Sequence, residues 1–359
     1  MEENRLILED FGYTRELELF RKNHNLEMFS VGRVIAQHKE RYIIKSENSE
    51  YEAEIIGRLR FTAVRPDDFP AVGDWVAFSE FDENKALIHS VFSRKSILSR
   101  KTTGKQIESQ IIAANIDCAL IVTAVDSNFN INRIERYLAI CNASNIESII
   151  ILNKIDLITS EELERNIIKI KNRLKHAGIL CLSNKTNSGY DEFFSMLDKG
   201  KTYCLLGSSG VGKSSILNHL SKKEQMKTSE ISSLYNKGKH TTTHRELFIL
   251  DNGAILIDNP GMREVGIADV GDGLERTFDS IEELSRSCKF TDCQHINEKG
   301  CAVLDAIANN EISGESLKNY RKMLKEKYHF ESSVAEKRKS DRKFGKMIKS
   351  VLKEKNKKR

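Results

Sequence analysis

The sequence predicts a multidomain fold with three structured parts. Residues 30–100 contain five short β-branched or alternating runs, which predict a small β-barrel. From about residue 111, apolar strands alternate with amphipathic helices, the pattern of an α/β domain with a parallel sheet covered on both faces. After about residue 282 the strand pattern ends, and a cluster of cysteines and a histidine precedes helix-like segments. At 359 residues the chain is also too long for one ordinary hydrophobic core.

These patterns divide the chain into five consecutive segments. We expect an N-terminal helical segment at 1–28, the barrel at 29–110, the α/β domain at 111–282, a mostly helical metal-binding module at 283–334 and a basic tail at 335–359.

The charge distribution indicates a polyanionic partner. Residues 336–359 hold twelve Lys or Arg and three acidic residues, a net charge of +9, whereas the whole chain carries +5. The remaining residues therefore sum to about −4. A basic tail on a near-neutral body favours nucleic acid, because neutralised phosphates release counterions. A solvated, frayed helix is the alternative.

Composition favours a cytoplasmic protein over a secreted or membrane-bound one. No run of 18 apolar residues occurs, and the N-terminus lacks the layout of a secretory signal. Of seven cysteines, four lie singly in or beside apolar runs and are predicted to be reduced and buried: Cys118, Cys141, Cys181 and Cys204.

The individual elements follow from local patterns. The barrel strands are predicted at FSVGRVIAQ, RYIIKS, YEAEII, DWVAFS and ALIHSVF. In the α/β domain, strands are predicted at CALIVTAV, SIIILNKID, ILCLSNK, TYCLLG, RELFILD and AILIDNPG, and helices at RIERYLAICNA, at EELERNIIKIKNRLKHAG and from Lys213. Ligands of such a sheet are expected at the carboxyl ends of its strands.

A glycine-rich phosphate-binding loop follows one of these strands. The run GSSGVGKS matches G-x-x-x-x-G-K-[ST], a loop whose backbone N–H groups surround phosphates at a helix N-terminus. Lys213 is expected to reach the β and γ phosphates and Ser214 to ligate Mg²⁺. The nucleotide-binding residues predicted here are Gly207, Ser208, Ser209, Gly210, Val211, Gly212, Lys213, Ser214 and Ser215.

Two further segments are predicted to serve the γ phosphate. The run DNPG follows the predicted strand Ala254–Ile257, so Asp258 emerges at the end of that strand. Its carboxylate can hold Mg²⁺ there through water, and Gly261 can donate its N–H to the γ phosphate. The segment KHTTTH lies between the loop and Asp258, and Thr242 is our choice of magnesium ligand, with Thr243 second. A polar strand edge is the alternative interpretation of KHTTTH.

Base recognition is predicted at Asn153, Lys154 and Asp156. The Asp156 carboxylate can accept hydrogen bonds from guanine N1–H and the exocyclic amine, a donor pair that adenine lacks. Lys154 can cover the ring plane, and Asn153 can tie loops together. After the next strand, Ser183, Asn184 and Lys185 can present backbone N–H groups to guanine O6.

A C-x4-C-x-H-x5-C cluster predicts a structural zinc site. Three thiolates and one imidazole form a closed tetrahedral ligand set and leave no position for a catalytic water. The ligands are Cys288, Cys293, His295 and Cys301. Buried thiols beside one surface histidine are the alternative.

The order of the motifs is inverted relative to ordinary GTPases, because the N-K-I-D run precedes the phosphate loop. The sequence resembles the circularly permuted GTPases of the RsgA (YjeQ/YloQ) family over residues 30–330. The resemblance is carried by this motif order and by GKHTTTHRELF, DNPG, VGDWV and the cysteine cluster. The resemblance implies an OB-fold barrel, a GTPase that hydrolyses GTP to GDP with Mg²⁺, and one structural Zn²⁺. It further implies a role in late assembly of the small ribosomal subunit, with hydrolysis stimulated by that subunit and contacts to its rRNA. We also expect a monomer without membrane association.

Two alternative functions stay open on the sequence. One is a P-loop ATPase in which N-K-I-D merely caps a helix, and the other is an RNA-binding assembly factor whose nucleotide site does not hydrolyse. Lys213, Thr242 and Gly261 are the predicted catalytic residues. Met262 stands where many GTPases place a glutamine that orients water, so slow intrinsic turnover is expected.

Overall fold

A computed structural model describes residues 7–38, 41–47, 49–63, 65–101, 109–126, 129–221, 246–258, 270 and 272–331. The N-terminal segment is helical as predicted, with a 3₁₀ turn at Leu8–Phe11 and helix α1 at Arg15–Asn23. Both lie before the first strand of the barrel.

The predicted barrel is confirmed as a closed sheet of five strands. Hydrogen bonds link the strands in the order β1-β2-β3-β5-β4, and β4 pairs back with β1. Strands β3 and β5 run parallel and the other neighbours antiparallel, an arrangement that fits an OB-fold. The strands are β1 Ser30–His38, β2 Arg41–Lys45, β3 Glu50–Ile55, β4 Trp75–Asp82 and β5 Lys85–Val91, with helix α2 at Gly57–Thr62 between β3 and β4.

Alternation of side chains fills the barrel interior. Val34, Ile44, Phe78 and Ile88 are completely buried and belong to one apolar cluster. Successive side chains of a strand point to opposite faces, so the β-branched runs bury every second residue. Strands β2 and β3 show this alternation, whereas β1 and β4 each bury four consecutive residues, Val31–Val34 and Trp75–Phe78.

A two-stranded hairpin follows the barrel and was not predicted. Its strands, β6 Ile97–Lys101 and β7 Ser109–Ala114, pair antiparallel and span the expected boundary at residues 110 and 111. The hairpin was missed because the polar run SRKTTGKQIES, which includes the end of β6 and the first residue of β7, has no strand-like periodicity.

The central sheet has the strand order β10-β9-β8-β11-β13-β12. Strands β8, β9, β10, β11 and β13 are parallel. The strands are β8 Cys118–Ala124, β9 Glu147–Asn153, β10 Gly178–Leu182, β11 Thr202–Leu206, β12 Glu246–Ile249 and β13 Ile255–Asp258. The helices are α3 Ile131–Ala143, α4 Ser160–Arg173, α5 Tyr190–Ser195 and α6 Lys213–Ser221.

Strand β12 departs from the predicted parallel order. It pairs antiparallel with β13, because only residues 250–254 connect the two strands and a parallel crossover needs a dozen residues or more. The turn is closed by a hydrogen bond from the backbone N–H of Leu250 to the carbonyl oxygen of Ala254, 2.8 Å. Strand β12 also touches the barrel, where Glu246 pairs with Ala36 of β1.

Helices cover both faces of the central sheet, as the continuous apolar strands predict. Ile134 of α3 and Ile170 of α4 belong to the core on one face. Phe193 of α5 and Ile216 of α6 belong to the core on the other. Strand β8 is buried along its whole length between the two layers.

The C-terminal region is helical in the residues that the structure describes. Its helices are α7 Gly273–Thr277, α8 Asp279–Ser285, α9 Ala302–Ala308 and α10 Gly314–Glu331. Leu317, Tyr320 and Met323 of α10 are buried in the same apolar cluster as α3. In residues 7–331 as far as described, no helix is long and apolar enough to cross a membrane.

Arg33 is a buried link between the N-terminal segment, the barrel and the central domain. Its side chain on β1 donates to the carbonyl oxygens of Phe11 (2.6 Å) and Gly73 (3.1 Å) and to Thr202 Oγ1 on β11 (2.9 Å). Burial lowers the pKa of Arg33 to about 10. The guanidinium also lies 5.6 Å from the ring centroid of Trp75, the single tryptophan.

We predict that Arg33→Ala lowers the free energy of unfolding by about 3 kcal/mol, because it leaves a cavity and several buried acceptors without a donor. Chemical denaturation followed by Trp75 fluorescence measures the change. Arg41→Ala is the matched control: Arg41 is exposed and pairs with Glu52 on the surface, so its loss should cost under about 1 kcal/mol. Equal effects of the two substitutions would contradict the role of Arg33.

Candidate nucleotide-binding site and metal centre

The predicted site residues lie along one edge of the central sheet. Parallel strands carry their carboxyl ends to the same edge, and the strand order reverses between β8 and β11. Strands β9 and β10 lie beyond β8, and β13 lies beyond β11. The N-K-I-D run begins at the last residue of β9, the S-N-K run follows β10, and the glycine-rich loop follows β11.

Close packing of the backbone explains two glycines of the phosphate loop. Gly207 has φ +146, and a Cβ there would lie 2.3 Å from the carbonyl oxygen of Val122 on β8. Gly212 has φ +100, and a Cβ there would lie 2.2 Å from Asn153 Nδ2. Glycine is therefore required where the loop touches two neighbouring strand ends. Nothing lies within 4 Å of the corresponding position at Gly210.

Lys213 and Ser214 begin helix α6 directly after the loop. Lys213 Nζ donates to the carbonyl oxygens of Gly207 and Ser208, both at 2.7 Å, so its ammonium group lies over the loop. Residues at a helix N-terminus have free backbone N–H groups that attract phosphate. Ser209, Gly210, Val211 and Ser215 lie in the same loop and first turn, as the motif requires.

Asp258 ends β13 beside the phosphate loop. The pair Cys204 and Ile257 sets the register of β11 against β13, so Asp258 lies one residue beyond that pair toward the loop. A carboxylate at this place is suited to a magnesium ion shared with a phosphate. The predicted Thr242 and Gly261 lie outside the described residues.

Asn153 joins the N-K-I-D run to the glycine-rich loop. It is completely buried, and its Nδ2 donates to the carbonyl oxygen of Val211 at 2.8 Å. Asn153 Oδ1 is buried and has no hydrogen-bond partner within the described ranges. The two loops are thus in direct contact although 58 residues separate them.

Asp156 is exposed at the edge and is oriented by Ser183. Ser183 Oγ donates to Asp156 Oδ1 at 2.5 Å and accepts from the backbone N–H of Lys185 (3.3 Å) and Thr186 (3.1 Å). Asn184 Nδ2 lies 3.5 Å from the carbonyl oxygen of Gly212. The S-N-K run therefore contacts both Asp156 and the phosphate loop.

Sequence reasoning missed three residues that hold this site together. Asp126 Oδ2 accepts from Lys154 Nζ at 2.8 Å, Tyr190 donates to Asn184 Oδ1, and Arg133 Nη1 donates to Ser208 Oγ at 2.8 Å. Asp126 follows the end of β8, so the strand-end rule could have found it. Nothing in the local sequence marks Arg133 or Tyr190.

The four predicted metal ligands near the C-terminus lie close enough together to share one ion. The ligand atoms of Cys288, Cys293, His295 and Cys301 all lie within 4.8 Å of one another. Cys288 Sγ is 3.8 Å from Cys301 Sγ, and His295 Nδ1 is 3.7 Å and 3.3 Å from these two sulfurs. A tetrahedral metal with sulfur ligands at about 2.3 Å spaces them by about 3.8 Å, so the four residues fit a metal ion.

Glu298 organises the loop that carries His295. Its carboxylate accepts backbone hydrogen bonds from Ile296 (2.7 Å), Gln294 (3.0 Å) and Asn297 (3.0 Å). These bonds, that of Ile296 foremost, lower the pKa of Glu298 to about 2. Burial lowers the pKa of His295, which favours the neutral imidazole that binds metal.

The site is that of a GTPase of the P-loop class. A glycine-rich loop precedes a helix, an aspartate ends the neighbouring strand, and the N-K-I-D run contacts the loop. The glycine-rich loop follows the N-K-I-D run in the chain, so the motif order is circularly permuted.

Comparison with known proteins places the chain in one family. The RsgA GTPase family matches residues 91–268. The chain is 37% identical over 359 residues to the small ribosomal subunit biogenesis GTPase RsgA 1 of Bacteroides thetaiotaomicron, covering 99% of this chain and 98% of that protein. It is 42% identical over 325 residues to RsgA 1 of Listeria innocua, covering 90% of each.

Two solved structures share the fold. YjeQ from Thermotoga maritima superposes with a TM-score of 0.62 at 25% identity, covering 85% of this chain and all of that one. YloQ, described as a circularly permuted GTPase, has a TM-score of 0.60 at 23% identity, covering 87% and 99%. The chain belongs to the RsgA GTPase family and is a GTPase, which confirms the resemblance found in its motifs.

We predict that Ser183→Ala weakens GDP and GTP binding equally, by roughly tenfold, because it releases Asp156 and leaves two backbone N–H groups unpaired. GDP and GTP share the same base, so an equal loss of affinity for both indicates a defect in base binding, whereas a defect at the γ phosphate would affect GTP alone. Titration of fluorescent GDP and of a non-hydrolysable GTP analogue measures it.

The control for this prediction is Ser188→Ala, since the Ser188 side chain is exposed at the end of the same loop. It should bind both nucleotides as the wild type does. A Ser183→Ala protein with unchanged affinities would remove Ser183 from the account of base recognition.

Proposed function

We propose that the chain binds GTP and GDP across the described edge of the sheet and hydrolyses GTP while bound to the small ribosomal subunit, late in that subunit's assembly. The observation that carries the nucleotide site is the hydrogen bond from Asn153 to Val211, because it unites the base-reading run with the phosphate loop. The relatives named for small-subunit biogenesis motivate the ribosomal role.

The predicted residues have distinct roles in this proposal. Asp156 reads the guanine edge while Lys154, held by Asp126, covers the ring. Ser183, Asn184 and Lys185 present donors to guanine O6. Residues 207–215 surround the phosphates, and Lys213 binds the β and γ phosphates.

Magnesium chemistry is assigned to the phosphate end of the site. Ser214, Asp258 and Thr242 would hold Mg²⁺, which neutralises the charge that develops on the phosphates. The N–H of Gly261 would contact the γ phosphate. These assignments follow the motif positions and the placement of Ser214 and Asp258 beside the loop.

The remaining parts of the chain supply the subunit contacts and the metal module. We infer the domain bounds given above, at 1–28, 29–110, 111–282, 283–334 and 335–359. The barrel, the cysteine module and the basic tail are proposed to bind rRNA, and the cluster at Cys288 to Cys301 is proposed to hold one structural Zn²⁺. A monomeric, cytoplasmic protein fits this role.

The direct test of the function is GTP turnover with and without purified small subunits. Small subunits should stimulate phosphate release at least tenfold, because the chain lacks a glutamine at Met262, whereas large subunits should not. Lys213→Ala should abolish the stimulated turnover. Turnover of ATP in place of GTP would favour a P-loop ATPase, and absence of any turnover would favour an RNA-binding factor.

We predict that Asp156→Asn changes base preference from guanine to xanthine. An amide can donate to the xanthine O2 but cannot accept both guanine donors, so GTP affinity should fall by more than about tenfold while XTP affinity rises. Competition of GTP and XTP against a labelled nucleotide measures both. A variant that keeps its guanine preference would show that Asp156 does not read the base.

We predict that Glu298→Ala accelerates zinc loss to a chelator, because three backbone N–H groups of the metal loop lose their acceptor. Since the pKa of Glu298 is lowered in the folded protein, this support is present above about pH 4.5 and is lost as the pH falls toward 2. Absorbance of a zinc indicator follows the release.

Glu283→Ala, which removes an exposed carboxylate from α8 of the same module, is the control and should release zinc at the wild-type rate. Equal release rates for the two variants would contradict the role of Glu298. A protein purified without zinc would contradict the metal assignment itself.

A further inference from the structure

Arg133 reaches the phosphate loop from the first turn of α3. Its Nη1 donates to Ser208 Oγ at 2.8 Å, across 75 residues of sequence. The first turn itself is capped, because Asn130 Oδ1 accepts from the backbone N–H of Arg133 at 3.2 Å. Ser208 is also the residue whose carbonyl oxygen accepts from Lys213 Nζ. Arg133 therefore holds the same turn of the loop that Lys213 contacts.

The neighbouring residues of α3 bind the C-terminal helix α10. The carboxylate of Glu135 is completely buried, and it accepts from Asn319 Nδ2 (2.5 Å) and Ser316 Oγ (3.1 Å) of α10. Arg136 pairs with Glu326 of α10 at 2.9 Å. One turn of α3 thus contacts the phosphate loop and α10 together.

Helix α4 completes the buried network around Glu135. Arg173 donates to both carboxylate oxygens of Glu135, at 2.8 Å and 2.6 Å, and to Asn132 Oδ1 at 2.6 Å. Burial raises the pKa of Glu135, while Arg173 and the hydrogen bonds from α10 lower it. A buried charge is strongly destabilised when one of its hydrogen-bonding partners moves away. Few positions of α10 therefore satisfy every hydrogen bond of this network.

Helix α3 is packed too tightly to absorb a shift at one end. A Cβ at Gly273 of α7 would lie 2.3 Å from the carbonyl oxygen of Ala139 and 2.4 Å from the backbone nitrogen of Ala143. Asn142 of α3 also donates to Thr277 of α7 at 2.8 Å. A displacement of the phosphate loop at Ser208 therefore acts on α3 as a rigid element, and through it on α10.

We propose that Arg133 is a positioning residue for the phosphate loop and that α3 couples nucleotide binding to the seating of α10. The proposal rests on the proposed function, because it takes the loop to bind nucleotide phosphates. Coupling of this kind is reciprocal: what loosens α10 must weaken nucleotide binding, and what releases Ser208 must loosen α10.

The test is a double-mutant cycle on GDP affinity with Arg133→Ala, Asn319→Ala and the double variant. Arg133→Ala should weaken GDP binding about fivefold, the effect of one lost hydrogen bond. Asn319→Ala should weaken it about threefold, although Asn319 belongs to α10. The double variant should bind GDP at most about sixfold more weakly than the wild type. Independent effects would multiply to about fifteenfold.

Two further variants separate positioning from general damage. Arg133→Lys keeps a donor for Ser208 and should recover most of the affinity lost in Arg133→Ala. Arg165→Ala, which removes an exposed arginine from α4, should leave GDP affinity unchanged. Hydrogen exchange of α10 supplies the reciprocal measurement: GDP should slow it in the wild type and should not do so in Arg133→Ala.

The outcomes distinguish this proposal from the function on which it depends. If the wild type binds GDP but the two single effects multiply, or if Asn319→Ala binds GDP normally, the coupling through α3 is overturned and the GTPase assignment stands. If the wild type binds no GDP, both are overturned. If GDP slows the hydrogen exchange of α10 in both the wild type and Arg133→Ala, the role of Arg133 is overturned.

Discussion

The site depends on one geometric constraint: parallel strands deliver their carboxyl ends to the same edge of a sheet. Position along that edge is set by strand order in space, so the order of motifs in the chain is free to change. Strand β9 lies two places from β11, about 10 Å away. The hydrogen bond from Asn153 to Val211 closes that interval and makes two distant runs into one site. Permutation of the chain therefore leaves the nucleotide site intact.

The interfaces that connect the central domain to the barrel and to helix α10 are held by different interactions. Arg33 fixes the barrel and the N-terminal segment to the central sheet through buried hydrogen bonds to three separate segments, and β1 and β12 add a strand pairing. The joint to α10 combines apolar packing with the buried network of Glu135 and Arg173. A network of charges is satisfied in few arrangements, which suits a joint that responds to the nucleotide site.

Local pattern and motif spacing predicted much of the fold from the sequence, and they identified the runs that the structure brings to one edge of the central sheet. The barrel strands were found because they are short β-branched or alternating runs separated by charged, Gly or Pro breaks. The phosphate loop was found because its glycines, lysine and serine follow a strand and open a helix. Arg33 was not found, since a lone arginine in a strand ordinarily faces water. Arg133 was not found either, because its partner lies 75 residues away. Partners chosen by tertiary packing leave no local signal, and the antiparallel β12 likewise follows from a short connection whose pairing only the sheet reveals.

The claim on which the account depends is that Asp156 and Lys213 bind opposite ends of one nucleotide. A crystal structure of the protein with GDP and Mg²⁺ measures this directly. The account predicts the Asp156 carboxylate within about 3 Å of guanine N1 and Lys213 Nζ within about 3 Å of a β-phosphate oxygen of the same molecule. A GDP held by residues 207–215 with its base away from Asp156 would contradict it.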